Sequence, residues 1–389
     1  RRTYKISDLP HRGNYIVKSL AALLRQTGEP LPYATTRPLE IVEVDLAPPG
    51  AGEVLVKIES AGICHSDLSV VNGSRPRPLP LVAGHESAGV VVELGAGVKG
   101  LKVGDHVTSV FLPSCGKCAE CTTGTPAFCS VGASSNARGE MISGGSRISF
   151  NGKPVSHYNG VSCYSQYAVL DERSLIKLPE DIPFDIAALF GCALLTGIGA
   201  VRNSAHAKPG QSLGVWGLGG VGLSALIGAV ISMASPIFAI DPVESKRKLA
   251  LELGADFALD PNENLRDHLP AGVSVAIECA GRADTLKAAY EATSRGGTTV
   301  TVGLPPASEM LSISALSLVS DVKTIRGSYL GSANPRIDIP EFVDFWRAGS
   351  LPVEKLLTSV SPMSQVNEAM DALQGAQVVR QVIHPHSGV

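Results

Sequence analysis

Four cysteines crowd one short stretch, Cys115-x2-Cys118-x2-Cys121-x7-Cys129, and a second set, Cys64, His85 and Cys192, is scattered around them. Four thiolates at the first spacing suit a tetrahedral Zn²⁺ that they enclose completely. Such an ion has no open position, so its work is to tether a loop too polar to build its own core. A disulfide framework is the competing reading of close cysteines. Those scaffolds are short and cysteine-rich, whereas this chain has 389 residues and 8 Cys. The second set supplies three ligands and leaves one position for water or a substrate oxygen, the arrangement of a catalytic zinc. Two zinc ions per chain are expected.

A different chemistry is carried by Gly217-Leu218-Gly219-Gly220-Val221-Gly222, which matches G-x-G-x-x-G. Glycines at this spacing allow a tight turn and let backbone N–H groups reach a pyrophosphate at a helix N-terminus. A Gly-rich turn matches by chance often, so context decides. An apolar strand, Ser212 to Trp216, precedes the motif, an apolar helix follows, and Asp241 ends the next strand, Ile237 to Ile240. A carboxylate there accepts from the adenosine ribose hydroxyls and repels a 2′-phosphate, which favours NAD over NADP. The competing reading makes Asp241 the start of an Asp241-Pro242 turn. Lys246, one turn into the next helix, either joins the ribose contacts or is a solvated surface lysine.

The elements that must position these residues follow from length and pattern. A chain of 389 residues exceeds the ~250–300 residues of one core, so two domains are expected. From Ile41 to about Leu178, short strands alternate with Pro/Gly turns, as in Val54 to Ile58 where side chains alternate. Gly132 to Asn159, rich in Gly and Ser, reads as a long surface loop beside the site. From Ala193 to Leu330 the pattern is strand, helix, strand, with a helix Val243 to Leu253 stopped by Gly254 and strands Val273 to Ile277 and Thr298 to Val302. Residues 1–18 read as a polar extension before a first strand, Ser19 to Leu24.

Composition narrows the partners. A 44% hydrophobic fraction and a net charge of -3 suit a soluble protein, and no basic run marks a nucleic-acid surface. Gly214 to Ile240 lacks charge and is long enough to cross a bilayer, but its glycines and Pro236 split it into strand, turn, helix and strand. Arg1 to Asn14 has no apolar signal region, so the cytoplasm is the default expectation, with a trimmed transit segment as the alternative, and small molecules and a second copy of the chain are the expected partners.

Gly62-Ile63-Cys64-His65-Ser66-Asp67, Gly84-His85-Glu86, Cys115-Gly116-Lys117-Cys118, Gly191-Cys192 and the nucleotide motif occur in that order. In this the chain resembles the zinc-dependent medium-chain alcohol dehydrogenases, over roughly residues 19 to 385. The resemblance implies an α/β fold in which a GroES-like β-rich catalytic domain (residues 19–192 and 331–389) receives a Rossmann doubly wound parallel sheet (193–330) as an insertion. It implies that Cys64, His85 and Cys192 hold the catalytic zinc, that Glu86 can approach it, that Asp67 bonds the other nitrogen of His85, and that Ser66 takes the alcohol proton. Thr196 and Val221 would pack on the nicotinamide, Val302 would be a further cofactor contact, and His65 and Arg380 would face the pyrophosphate. Phe111, Tyr158, Asn159, Leu304 and Tyr329 would line the substrate, which aromatic walls make a medium-sized or aromatic alcohol. Hydride transfer to NAD would give the aldehyde or ketone. Rossmann sheets pairing near Thr298 to Gly303 would give homodimers or homotetramers.

Two departures stand out. Many family members carry a histidine where this chain has Ser69, and it passes the proton onward from the ribose. Glutathione-dependent formaldehyde dehydrogenases of similar layout place an acid near position 75 and an arginine near 133, where this chain has Arg75 and Ala133. An S-(hydroxymethyl)glutathione dehydrogenase is thus the second reading, and a non-catalytic zinc and dinucleotide binding protein the third. Cys163 and Cys279 read as buried structural thiols.

Overall fold

A computed structural model describes residues 15–376 and 378–388, so residues 1–14 of the expected extension lie outside the described residues. The remainder of that extension is structured. Tyr15 is buried, and the first strand begins at Val17 rather than Ser19. The chain divides into two units, Arg1–Gly191 with Leu357–Val389, and Cys192–Leu356.

In the first unit Val17–Leu24, Leu39–Leu46, Ile148–Phe150, Lys153–His157 and Leu81–Val82 close a barrel. A seven-stranded sheet lies beside it in the same unit, with Glu53–Ile63 between Glu86–Leu94 and Arg380–His384. Strand alternation is present, but both faces are covered. Val54, Val56 and Ile58 enter one core while Leu55 enters another, and Ala22 and Leu24 divide from Ala21 and Leu23 in the same way. Each fully buried Leu, Ile or Val contributes about 1.5–3 kcal/mol.

Gly132 to Asn159 is not a long surface loop. Ser130–Ala137 is a helix, and Ile148–Phe150 pairs antiparallel with Lys153–His157 to close the barrel. Sparse buried anchors, Met141, Ile148 and Val155, hold the segment down. They are too far apart among Gly and Ser to register as a periodic pattern.

His157 ends that hairpin fully enclosed, with neither ring nitrogen hydrogen-bonded. Burial, opposed by Glu53 and aided by Arg147, pushes its pKa down to about 4. The unfolded imidazole titrates near 6.5, so between these values the unfolded chain binds the extra proton. Stability from this group is therefore present above pH 6.5 and lost as pH falls towards 4, by roughly 3 kcal/mol. His157→Phe should remove that share of the acid sensitivity, read as denaturation midpoint against pH. Identical profiles for variant and parent would assign the sensitivity to other groups.

The second unit holds a parallel sheet in the order Phe257–Leu259, Ile237–Ile240, Leu213–Trp216, Val273–Glu278, Thr293–Thr301, Thr324–Gly327. Numbered along the chain this is 3-2-1-4-5-6, the doubly wound dinucleotide-binding order, whose crevice opens at the carboxyl end of the first strand. Leu213–Trp216 and Ile237–Ile240 are buried at every position, which explains their unbroken apolar runs. Two expectations are corrected. Thr293–Thr301 lies inside the sheet, whose outer strands are Phe257–Leu259 and Thr324–Gly327, so the region of Thr298 to Gly303 is not an edge that could pair. Residues 331–356 also stay with the second unit, because Pro335–Arg347 is fastened there by Asn203 to Asp338 at 3.2 Å and Arg202 to Glu341 at 2.7 Å. The helical run Phe184–Ser204 is long and apolar enough to cross a membrane, yet 89% of its most apolar window is buried within the protein, as in a core helix.

Candidate active site

Strand Glu53–Ile63 delivers Cys64 to the start of the helix His65–Val71, where a capping box fixes it. Asp67 Oδ2 accepts from the Cys64 backbone N–H at 3.0 Å, so cysteine and carboxylate are set by one local device. Asp67 Oδ1 lies 3.0 Å from His85 Nδ1, as the family resemblance implies, which leaves Nε2 as the ligating nitrogen. Burial disfavours the His85 imidazolium, but the Asp67 charge and hydrogen bond, with Cys64, outweigh it and raise the pKa to about 10. Cys192 lies in a π-helical turn, Phe190–Leu194, a form common at functional sites. Its approach is set by Gly191, where a Cβ would stand 1.8 Å from the Ser109 carbonyl oxygen, so no other residue fits.

The ligand atoms of Cys64, His85, Glu86 and Cys192 all lie within 4.8 Å of one another, and all four residues are buried. Glu86 divides its oxygens. Oε2 pairs with Arg380, while Oε1 has no hydrogen-bond partner and stands 3.7 Å from His85 Nε2. Two thiols, an imidazole and a buried carboxylate oxygen without a donor are a set that zinc prefers, and the residues fit the ion. Arg380, expected at the pyrophosphate, is buried against Glu86. Its strand runs between Glu53–Ile63 and Leu357–Pro362.

The four-cysteine loop is gathered in the same way, with its sulfurs also within 4.8 Å. All eight cysteines are free, so no disulfide competes. Cys118 Sγ and Cys129 Sγ are 3.8 Å apart, matching the edge of about 3.8 Å that a tetrahedron with Zn–S bonds near 2.3 Å requires. Backbone N–H groups of Cys115 and Gly132 point at Cys129 Sγ, each at 3.3 Å. The Lys117 N–H holds the Cys115 thiol down to about 6.

In the second unit Gly219 caps the helix Gly220–Ile231 without a side-chain cap. A Cβ on Gly222 would meet the Gly217 carbonyl oxygen at 1.7 Å, whereas one on Gly219 would meet nothing within 4 Å. The first glycine is therefore demanded by the protein, and the second leaves open space at a helix N-terminus, as a pyrophosphate needs. Asp241 forms the turn that the competing reading expects. Oδ2 accepts from the Leu218 N–H at 2.7 Å and Oδ1 from the Val243 N–H at 2.8 Å, which leaves the carboxylate's remaining lone pairs for a ligand. Lys246 is buried, not a solvated lysine. Burial lowers its pKa and Asp241 opposes that.

Residues 50–180 match the alcohol dehydrogenase GroES-like domain, and residues 220–348 match the zinc-binding dehydrogenase family. A protein named S-(hydroxymethyl)glutathione dehydrogenase from Photobacterium damsela subsp. piscicida is 38% identical, over 89% of this chain and 96% of its own. One of the same name from Synechocystis sp. is 36% identical over 95% and 100%. The chain belongs to the zinc-dependent medium-chain dehydrogenases. Among solved structures, this dehydrogenase resembles an alcohol dehydrogenase zinc-binding domain protein from Burkholderia ambifaria (TM-score 0.89, 33% identity, covering 95% of this chain and 99% of that one). It also resembles the benzyl alcohol dehydrogenase of Acinetobacter calcoaceticus (TM-score 0.87, 32% identity, 94% and 99%).

Other expected residues of the dehydrogenase fall as follows. In the first unit, Phe111 and Tyr158 both meet the His85 ring edge-on, at 5.6 and 5.4 Å. Asn159 is buried in a left-handed turn. Ser66 is half-buried and His65 exposed. Ser69 Oγ donates to the His65 carbonyl at 2.8 Å, so its hydroxyl is already committed. In the second unit Thr196 and Val302 are buried, Val221 is half-buried, and Leu304 and Tyr329 are exposed. Cys163 is buried and donates to the Glu86 carbonyl at 3.2 Å, while Cys279 is half-exposed.

The sequence reading missed two contacts. The Tyr158 hydroxyl donates to the Ser66 carbonyl at 2.9 Å, and Tyr164 packs against Gly84 while its hydroxyl donates to the Gly62 carbonyl at 3.2 Å. Neither tyrosine lies in a periodic pattern that could have announced it.

Proposed function

We propose that this chain is an NAD-dependent zinc alcohol dehydrogenase that reversibly oxidises a medium-sized or aromatic primary or secondary alcohol, with two zinc ions per chain. The observation that carries the reading is the buried Cys64, His85, Glu86 and Cys192 set with Asp67 on His85 Nδ1. Zinc held there would supply Lewis acidity that lowers the proton affinity of an alcohol oxygen, and NAD would accept the hydride. The chain's own residues do the rest. Asp67 fixes the His85 tautomer, Phe111 and Tyr158 exclude water from its ring, and the Ser66 hydroxyl takes the alcohol proton. Asp241 selects NAD, because a 2′-phosphate would be held against a buried carboxylate.

The names of the relatives favour S-(hydroxymethyl)glutathione as a second substrate reading. Arg75 and Ala133 weigh against it, since neither the amine nor the carboxylate of glutathione meets its expected partner. A second copy of the chain is the expected partner. Met310, Leu316, Val319 and Val322 are exposed in the segment leading to the outer strand Thr324–Gly327, which supports a homodimer or homotetramer through that edge.

The test is NADH formation across alcohols from ethanol through hexanol to benzyl alcohol, with NADP and with formaldehyde plus glutathione as parallel arms. Turnover of the larger alcohols with NAD is the expected result. Turnover confined to the glutathione arm would transfer the assignment to the second reading. Silence throughout from a chain holding two zinc ions would favour a binding protein.

A further inference from the structure

Two arginines beside the candidate site have no role in the chemistry described so far. Arg75 and Arg77 lie on the connector Asn72–Pro80, which is pinned at both ends. At one end the Arg75 N–H and Ser74 Oγ both donate to the Ser69 carbonyl, at 2.8 and 3.2 Å, one helical turn from Ser66. At the other the Ser156 N–H donates to the Pro80 carbonyl at 2.9 Å, two residues before Tyr158. The Tyr158 hydroxyl then returns to the Ser66 carbonyl. The connector is thus a strap between the helix that carries Ser66 and the strand that leads into Tyr158.

Charge along this strap is unbalanced. Among the described residues no carboxylate pairs with either guanidinium, and Arg77 Nε is enclosed with no hydrogen-bond partner. The negative groups deeper in the site are already engaged, Asp67 by His85 and the Cys64 N–H, and Glu86 by Arg380. An enclosed guanidinium nitrogen with no acceptor is costly unless a ligand completes it.

Resting on the alcohol dehydrogenase reading of the site, we propose that the substrate is an alcohol carrying an anionic group, and that Arg75 and Arg77 are its counter-charge. Specificity is then set by charge at the far end of the substrate as well as by the aromatic walls around His85. An acid at position 75 would select an ammonium group, and Arg75 inverts that preference.

The test compares 1-hexanol with 6-hydroxyhexanoate, flexible chains that differ at the end remote from the hydroxyl. Hydrogen bonds to a charged group imply roughly a ten- to hundredfold higher kcat/KM for the carboxylate. The preference should shrink in 0.5 M salt for the half-exposed Arg75. Arg77→Gln should lower the ratio of the two kcat/KM values about tenfold, and Arg75→Gln less. A ratio within one protein is insensitive to how much of a variant folds. Calorimetric binding of the same two compounds gives the ratio without turnover. Silence with both alcohols would therefore overturn the dehydrogenase reading while the charge preference is still measured. A third arm, S-(hydroxymethyl)glutathione, separates the sources of the anion: an Arg77-dependent preference for it over 6-hydroxyhexanoate would make a glutathione conjugate the carrier. A ratio of one or below in the parent, or one unmoved by both substitutions, overturns the proposal.

Discussion

Cys64→Ala should lower NADH formation by at least about 10⁴-fold and remove one of two zinc equivalents. The size of the effect follows from what the ion contributes. Zn²⁺ lowers the pKa of a water ligand from about 15.7 to about 7, and a similar shift for an alcohol is worth about 11–12 kcal/mol at ~1.36 kcal/mol per unit. A positioned proton acceptor contributes about 10²–10⁴-fold, so Ser66→Ala should be far milder. Cys64 also caps a helix, and losing that role costs only about 1 kcal/mol. The variant should therefore melt close to the parent while its metal content, by atomic emission, falls by one. Comparable turnover in variant and parent, with zinc measured in both, would remove Cys64 from the metal site.

The opposite signature is expected at the other cysteine set. Cys129 is fully buried, sits 3.8 Å from Cys118 Sγ and receives two backbone N–H groups. Structural zinc binding amounts to about 10–16 kcal/mol in isolated zinc-binding peptides, so loss of even a third of that is about 4–5 kcal/mol. Cys129→Ala should lower Tm by about 10 °C or more, since about 1 kcal/mol shifts Tm by ~2–4 °C in units of this size. Calorimetry with metal analysis reads both effects, and a chelator should reproduce the shift in the parent. Unchanged melting after loss of one zinc ion would mean that the loop is held by its own packing.

The parts of this protein that could be read in advance are those where one residue type does one job. Thiols at short spacing have few uses, which makes Cys115 to Cys129 legible, whereas the contact of Asp67 with His85 is legible only through the family resemblance. The βαβ unit was legible because Leu213–Trp216 and Ile237–Ile240 are buried on both faces. Context-dependent residues were not. Arg380 carries the same charge whether it faces a phosphate or Glu86, and only tertiary pairing decides. Asp241 reads as a ribose acceptor or as a turn former, and the structure shows the turn. The hairpin within Gly132 to Asn159 escaped notice because closing a barrel needs few apolar residues when neighbouring strands supply the rest of the core.

The strand Glu53–Ile63 is, in effect, a ruler. Its alternate side chains are sorted between two separate cores, and it ends beside Cys64, the first cysteine of the candidate metal set. Deleting one residue from it would send Val54, Val56 and Ile58 to the wrong core and draw Cys64 back by about 3.3 Å. That displacement exceeds the length of a Zn–S bond, about 2.3 Å. The two cores therefore proofread the position of Cys64. A register error that could reach the catalytic set must first empty both hydrophobic interiors, so chains with a misplaced Cys64 would fail to fold long before they could misbind a metal.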